Sequence, residues 1–218
     1  MGAKKLVFLL MFFIAFWGHA QKDIFESNRF DELSEQHKVL AIVPFITQLD
    51  LEQNITKTEL KKLAQKEGYA VQDALETYFS RRKKRKKFNV DFQNVEETNA
   101  LLSQKGIDYS TIDVYTGKEL AKILGVDGII SGSLDLNVLL SKGVSTDFSL
   151  LDYFRGKTNY GRIGIKISDG TTGKLLWKYE KIITKKTGKN TDELIDKMMK
   201  AASRKFPYDK EKKRMKRS

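Results

Sequence analysis

The 218-residue chain has no cysteine, two prolines and two histidines. Without cysteine it holds no disulfide, no thiolate zinc site and no thiol nucleophile. A lipid-anchored bacterial envelope protein needs a cysteine at its cleavage point, so that anchor is excluded as well. With so few prolines, no long Gly/Ser linker and no internal repeat, the chain is expected to form one domain with its own core. Scarce histidine narrows the catalytic options. His19 lies in the leader described below, which leaves His37 beside Lys38, where it reads as a surface residue rather than a base. No G-x-S-x-G elbow is present for a serine nucleophile. GIISGS, residues 128–133, lacks the Lys-Ser/Thr ending of a phosphate loop and falls where a strand is expected, so its glycines read as close strand packing.

The first twenty residues carry an export signal. Lys4 and Lys5 form a basic start, residues 6–17 an apolar stretch of twelve, and GHA precedes Gln21. That is the form of a secretory signal peptide cut after Ala20. A membrane span needs about twenty apolar residues, so the stretch is too short for one. An exported chain of this size without disulfides reads as bacterial. The sequon at Asn54 carries no weight in that setting.

Charge is concentrated in two places. Arg81, Arg82, Lys83, Lys84, Arg85, Lys86 and Lys87 form an unbroken basic run. The tail from residue 209 holds six basic and two acidic residues, with Lys212, Lys213 and Arg214 in its middle. The run contributes +7, the tail +4, and Lys4 with Lys5 +2, so the rest of the chain is net −1 against a total of +12. A nucleic-acid domain spreads its cations over a face with aromatics among them. Here the body is almost neutral, and nucleic acid is not an expected partner. The run reads either as a solvated helix end and turn or as a contact for an anionic envelope surface.

The pattern along the chain predicts alternating strands and helices. Residues 21–37 are a lead-in segment. KVLAIVPFI, residues 38–46, is a continuous apolar run that suits a strand buried on both faces, closed by Pro44 and Phe45. Thr56 with Glu59 opens a helix, carried on by Val71, Ala74, Leu75, Tyr78 and Phe79, which Gly68 weakens and could split. FNVDF, residues 88–92, alternates like a strand. Asn94 with Glu97 caps a helix ending near Gly106, and Thr116 with Glu119 caps another stopped by Gly125. Asp127 sits in a turn before a long strand within 126–140, where Gly132 packs closely. Residues 160–184 form a hairpin turned by Asp169, Gly170, Thr172 and Gly173. Trp177 and Tyr179 alternate there and read as core or as a groove-lining pair. Asn190 with Glu193 caps a last helix that Pro207 ends, and residues 207–218 are expected to be a disordered basic tail. Early crossovers imply parallel pairing and the late hairpin antiparallel pairing. The expected fold class is α/β (mixed α+β): a mixed parallel/antiparallel sheet with helices packed on it in a single domain.

AIVPF, then ELAKILGVDGIISGSL, then ISDGTTGKLLWKYE, in this order and spacing, resemble the domain shared by the curli secretion channel CsgG, the penicillin-binding-protein activator LpoB and the amino-terminal domain of TolB. The resemblance covers residues 38–206. It implies an envelope protein that binds partners rather than an enzyme. Three departures accompany it: the lipid-attachment cysteine is missing, Gln93 stands where the group often has arginine, and residues 141–159 are too short and irregular for a barrel hairpin. The resemblance therefore implies a soluble binding module in the periplasm or at the cell surface, not a pore. No catalytic residue, metal, cofactor or small-molecule substrate is expected, and an oligomer is compatible with this reading. The alternative reading is a polyanion- or membrane-surface-binding protein acting through segments 81–87 and 210–217.

Overall fold

The computed structural model describes residues 24–51, 55–83, 88–142, 159–184, 188–202 and 206–208. Its elements are β1 (Ile24–Glu26), α1 (Phe30–Ser34), β2 (Val39–Ile42), β3 (Ile46–Leu49), α2 (Lys57–Lys83), β4 (Asp91–Phe92), α3 (Val95–Gln104), α4 (Gly117–Leu124), β5 (Gly128–Leu136), β6 (Asn159–Asp169), β7 (Leu175–Thr184) and α5 (Thr191–Ala202). Short 3-10 turns stand at Ile112–Val114 and Leu140–Lys142.

The sheet runs β1-β7-β6-β5-β2-β4, with β3 on β5 beyond β2. β2 lies parallel to β4 and β5, and β3 parallel to β5. The pairings of β5 with β6, β6 with β7 and β7 with β1 are antiparallel. The chain is thus a mixed α+β single domain, a mixed sheet with five helices packed on it among the described residues.

The run expected as one strand over 38–46 is divided. From Ile42 to Ile46 the chain takes four steps, while its partner takes three, from Ile130 to Ser133. Pro44 has no N–H to give the ladder. The extra residue is absorbed there, and both halves stay on β5. Conversely, α2 is unbroken over 27 residues despite Gly68. That glycine is a packing device, since a Cβ on it would stand 2.1 Å from the Phe45 carbonyl oxygen and 2.7 Å from Tyr109 Cε2. The expected strand over 88–92 reduces to Asp91–Phe92, with Phe88 and Val90 buried ahead of it.

Side chains of β2 alternate between two cores, as successive residues of a strand must. Leu40 and Ile42 join Val71, Leu75 and Phe79 of α2 and Leu194 and Met198 of α5. Ala41 and Val43 join Leu102 of α3 and Leu120 and Leu124 of α4 on the opposite face. Each such buried leucine, isoleucine or phenylalanine contributes roughly 1.5–3 kcal/mol. In β6, Ile163, Ile165 and Ile167 point into the first core, while Arg162 and Lys166 are exposed.

Both ends of the fold extend past their expected bounds. The lead-in residues supply β1, which pairs Ile24 with Tyr179, and Phe30 of α1 is buried. At the other end Phe206 is buried against Phe79, Phe88 and Trp177, with ring centroids 5.4–5.6 Å apart. The tail expected to begin at residue 207 has its first two residues inside the fold, since Pro207 and Tyr208 are both buried. The leader at 1–20, Lys84, Arg85, Lys86 and Lys87, and Lys212, Lys213 and Arg214 lie outside the described residues.

Candidate functional site

The second and third sequence motifs meet, beside residues 37–39 just ahead of the first, at the end of the sheet where β2 and β5 begin. Asp127, in the turn before β5, accepts on one carboxylate oxygen from the backbone N–H groups of Lys38 at 2.7 Å and Val39 at 2.9 Å. Its carbonyl accepts from the N–H of Gly170 in the hairpin turn at 2.8 Å. A Cβ on Gly170 would stand 2.7 Å from that carbonyl oxygen, so only glycine allows the approach. One turn residue therefore ties the start of β2 to the tip of the β6–β7 hairpin.

Asp169, at the end of β6, is the second tie. One of its oxygens accepts from the Thr172 N–H at 2.6 Å and hydroxyl at 2.5 Å, which closes the hairpin turn. The other faces His37 Nε2 at 2.9 Å. Both side chains are almost wholly buried, with 5% exposure for His37 and 2% for Asp169. His37 was expected at the surface. The structure corrects this, because Asp169 and Tyr208 occupy both of its ring nitrogens. Its Nδ1 lies 2.6 Å from Tyr208 Oη. A carboxylate only accepts, so Nε2 donates to Asp169, while Nδ1 and the Tyr208 hydroxyl form the second hydrogen bond of the ring. Burial pushes the Asp169 carboxyl up, but the hydrogen bonds from Thr172 and His37 outweigh it and hold it below its ordinary value. Burial, with the Asp169 and Asp127 carboxylates adding to it, pushes the Tyr208 phenol well above its own.

The remaining motif residues are turn and packing positions. Phe45, fully buried behind Pro44, lies against β5 at Gly132. Gly125 ends α4 with φ 68°, and Gly173 leaves the hairpin turn with φ 74°. Gln93 donates to the Leu124 carbonyl at 3.0 Å and accepts from the Thr98 hydroxyl at 2.9 Å, so it joins β4 to α3 and α4. Trp177 and Tyr179 are both buried in the core.

The basic run is not uniform. Arg81, Arg82 and Lys83 form the last turn of α2. Arg81 reaches Asp196 of α5 at 3.5 Å and is more than half exposed. The Arg82 guanidinium sits over the rings of Tyr78 and Phe88, at 5.8 and 5.7 Å. Arg82 thus belongs to the packing, whereas the sequence reads the run as a solvated helix end and turn or as a surface contact.

His37 and Tyr208 were not singled out from the sequence as partners. Their separation of 171 residues hides the pairing. One signal was there to find. Phe206, Pro207 and Tyr208 bracket the helix stop with aromatics just before the charged tail. Among the described residues no group of three or more His, Asp or Glu is placed to hold a metal ion. Nor is any described helix long and apolar enough to cross a membrane.

Fold and site together define a mixed α+β domain whose motif residues knit its strand ends together. No family model matches the chain, and no curated protein sequence matches it. Solved structures are similar to it at low identity. A lipoprotein, GNA1162, from Neisseria meningitidis shares 12% identity over 67% of this chain and 81% of its own, with a TM-score of 0.43. The LpoB C-terminal domain from Salmonella enterica shares 11% over 71% of this chain and 92% of its own, with a TM-score of 0.34. PelC from Paraburkholderia phytofirmans, solved as a dodecamer, shares 8% over 74% of this chain and 88% of its own, with a TM-score of 0.28.

Proposed function

We propose that the chain is an exported, non-enzymatic binding module of a bacterial cell envelope, acting in an assembly through protein partners. The observation that carries this reading is the joint at the starts of β2 and β5. The second and third motifs of the resemblance meet there beside residues 37–39, and the polar groups of the joint are taken up inside the fold. His37 has both nitrogens engaged, Asp169 both oxygens, and Asp127 holds two backbone N–H groups. Groups bound in this way hold a scaffold rigid. A general base needs a free nitrogen or oxygen within reach of a substrate proton, and here the imidazole and the two carboxylates are directed at one another, at Tyr208 and at backbone. The leader and the lack of cysteine support export without a lipid.

Cell fractionation and mass measurement of the native protein test the proposal together with cross-linked capture. The expected result is a chain beginning at Gln21, recovered outside the cytoplasm. A captured envelope protein should also bind the purified chain saturably in the reverse direction. Cytosolic recovery with residues 1–20 retained overturns export. Turnover of an envelope substrate by the purified chain overturns the non-enzymatic reading.

A further inference from the structure

One face of the sheet is only half covered. Successive residues of β6 point to opposite sides, so with Ile163, Ile165 and Ile167 in the first core, Arg162, Gly164, Lys166 and Ser168 belong to the other side. On that side α3 and α4 lie over β2 and the start of β5, where Ala41, Val43 and Ile129 are buried. Over β6, β7 and β1, Arg162, Lys166, Ile182 and Phe25 are exposed, and no described element covers them. Register sets Phe25, Lys178, Lys166 and Ser131 side by side across β1, β7, β6 and β5, and Ile182, Arg162 and Asp135 in a second row. Between the rows Gly164 stands beside Glu180 and Ser133, so the middle of this floor is low. An antiparallel sheet leaves such a face to water when the residues on it are polar. Here apolar groups break that pattern. The exposed large apolar side chains among the described residues are Phe25, Val114, Tyr115, Leu175 and Ile182. Phe25, Leu175 and Ile182 stand on the face itself, each 39–49% exposed. A Cβ on Gly117 would stand 3.1 Å from Ser168 Cβ, so α4 walls one side of the floor, with Val114 and Tyr115 at the rim just ahead of it.

The charges of the face do not balance. Lys178 pairs with Glu180 at 2.9 Å, and Arg162 stands opposite Asp135 in register. Lys166 has no ion pair among the described residues, and it sits directly opposite Lys178. Like charges facing each other across a strand pair are destabilising, and a carboxylate brought between them relieves that. At the rim, Glu119 is already held by Thr116 in its capping box. We propose that this face docks one acidic, amphipathic helix of a protein partner, with carboxylates on Lys166 and Arg162 and apolar side chains on Phe25, Leu175 and Ile182. The inference rests on the partner-binding reading above and names the chemistry of the partner. Size selects the occupant. Three strands about 4.8 Å apart, over the six residue steps from Arg162 to Ser168 at about 3.4 Å each, leave roughly 300 Å² of open floor. A stable protein interface buries about 800 Å² on each side, so the face is too small to hold a second copy by itself. A helix is about 10 Å wide and packs about 8–10 Å from its neighbour. One helix beside α4 therefore completes the layer that α3 and α4 begin.

Two synthetic peptides of about eighteen residues, long enough to form a helix, test this by titration against the purified chain beginning at Gln21. Both carry a leucine stripe at helical spacing with alanine elsewhere, flanked by glutamate in one and by lysine in the other. The glutamate peptide is expected to bind and the lysine peptide not. Lys166→Glu should weaken the glutamate peptide about fivefold and admit the lysine peptide. Ile182→Ser should weaken the glutamate peptide about tenfold, because apolar burial is lost. Both positions are exposed, and unchanged melting curves confirm that the variants fold. In the parent chain, amide shifts on adding the glutamate peptide should cluster on β1, β6 and β7. Equal binding of the two peptides, binding of neither, an unaffected Lys166→Glu variant, or shifts elsewhere overturns the inference. A dimer in sedimentation that Ile182→Ser dissolves also overturns it and gives the face to a second copy. A captured envelope protein that binds Lys166→Glu as well as the parent leaves the proposed function standing and removes this face from it. Recovery of the chain from the cytosol overturns export and leaves peptide binding untouched.

Discussion

The ring of Phe45 fills the space that any side chain on Gly132 would need. A Cβ there would stand 2.3 Å from Phe45 Cε1 and 2.0 Å from the Gly164 carbonyl oxygen. The second neighbour is backbone of the adjoining strand, which cannot swing aside. Gly132→Val is therefore expected to destabilise the domain by at least the ~1–3 kcal/mol typical of overpacking. A thermal melt checks this, and an unchanged midpoint would show that β5 and β6 are not packed as described.

Gly68 sets two effects against each other. Alanine in mid-helix is favoured over glycine by about 1 kcal/mol. Against that, its methyl would meet the Phe45 carbonyl oxygen at 2.1 Å. Packing wins, and Gly68→Ala should lower the denaturation midpoint. A rise would mean that helix propensity governs this position.

Asp169 predicts an acid limb in the stability curve. Its folded carboxyl titrates below its ordinary value of about 3.9. Its stabilising effect is therefore complete above that value and is lost as pH falls through the folded pKa. Asp169→Ala removes this dependence and leaves the Thr172 and His37 donors unpaired, at a cost of about 1–3 kcal/mol at neutral pH. Urea titrations of both proteins from neutral pH down to pH ~3 compare the two slopes. Parallel slopes would place the acid sensitivity elsewhere.

Among the described residues the last buried one is Tyr208, so stability should change abruptly along a truncation series. A chain ending at Tyr208 should match the full chain within ~0.5 kcal/mol. One stopped before Phe206 should lose about 3–5 kcal/mol, the cost of removing a buried phenylalanine. Tyr208→Phe keeps the ring against Phe30 and His37 but removes the hydroxyl, and should cost about 1 kcal/mol. Equal stability across the series would place Phe206 outside the core.

Adjacent arginines in the basic run should differ in their effect. Arg82→Ser removes a cation held over two rings and should cost about 1 kcal/mol. Arg81→Ser removes a long, exposed ion pair and should cost under ~0.5 kcal/mol. Chemical denaturation separates the two, and equal costs would deny Arg82 its place in the packing.

Local chemistry in this sequence was readable where the partner lies within a turn. Thr116 and Glu119 exchange hydrogen bonds at 3.2 and 2.8 Å, as their spacing predicts. Asn94 caps Glu97 at 3.1 Å, and Asn190 caps Glu193 at 2.9 Å. The long antiparallel pair over 160–184 follows from its alternation and turn. Three-residue β1 was not legible, because it is too short to show a period. The separation of β2 from β3 was hidden because both halves are equally apolar. The His37 environment depends on Asp169, 132 residues away, and on Tyr208, 171 residues away, and no spacing rule reaches so far. For the same reason the joint between residues 37–39 and the turns at Asp127 and Asp169 is visible only in the fold.

The place of β5 sets an order of assembly. β3 pairs with β5 alone among the described strands, and before β5 arrives β2 has only the two residues of β4 to pair with. The amino-terminal half of the chain cannot complete its sheet until residues 128–136 are present, so pairing across that gap carries a large loop-closure cost. β2 and β3 therefore gain their shared partner only after α2, α3 and α4 have been made, so the sheet is the last layer of this half of the chain to close.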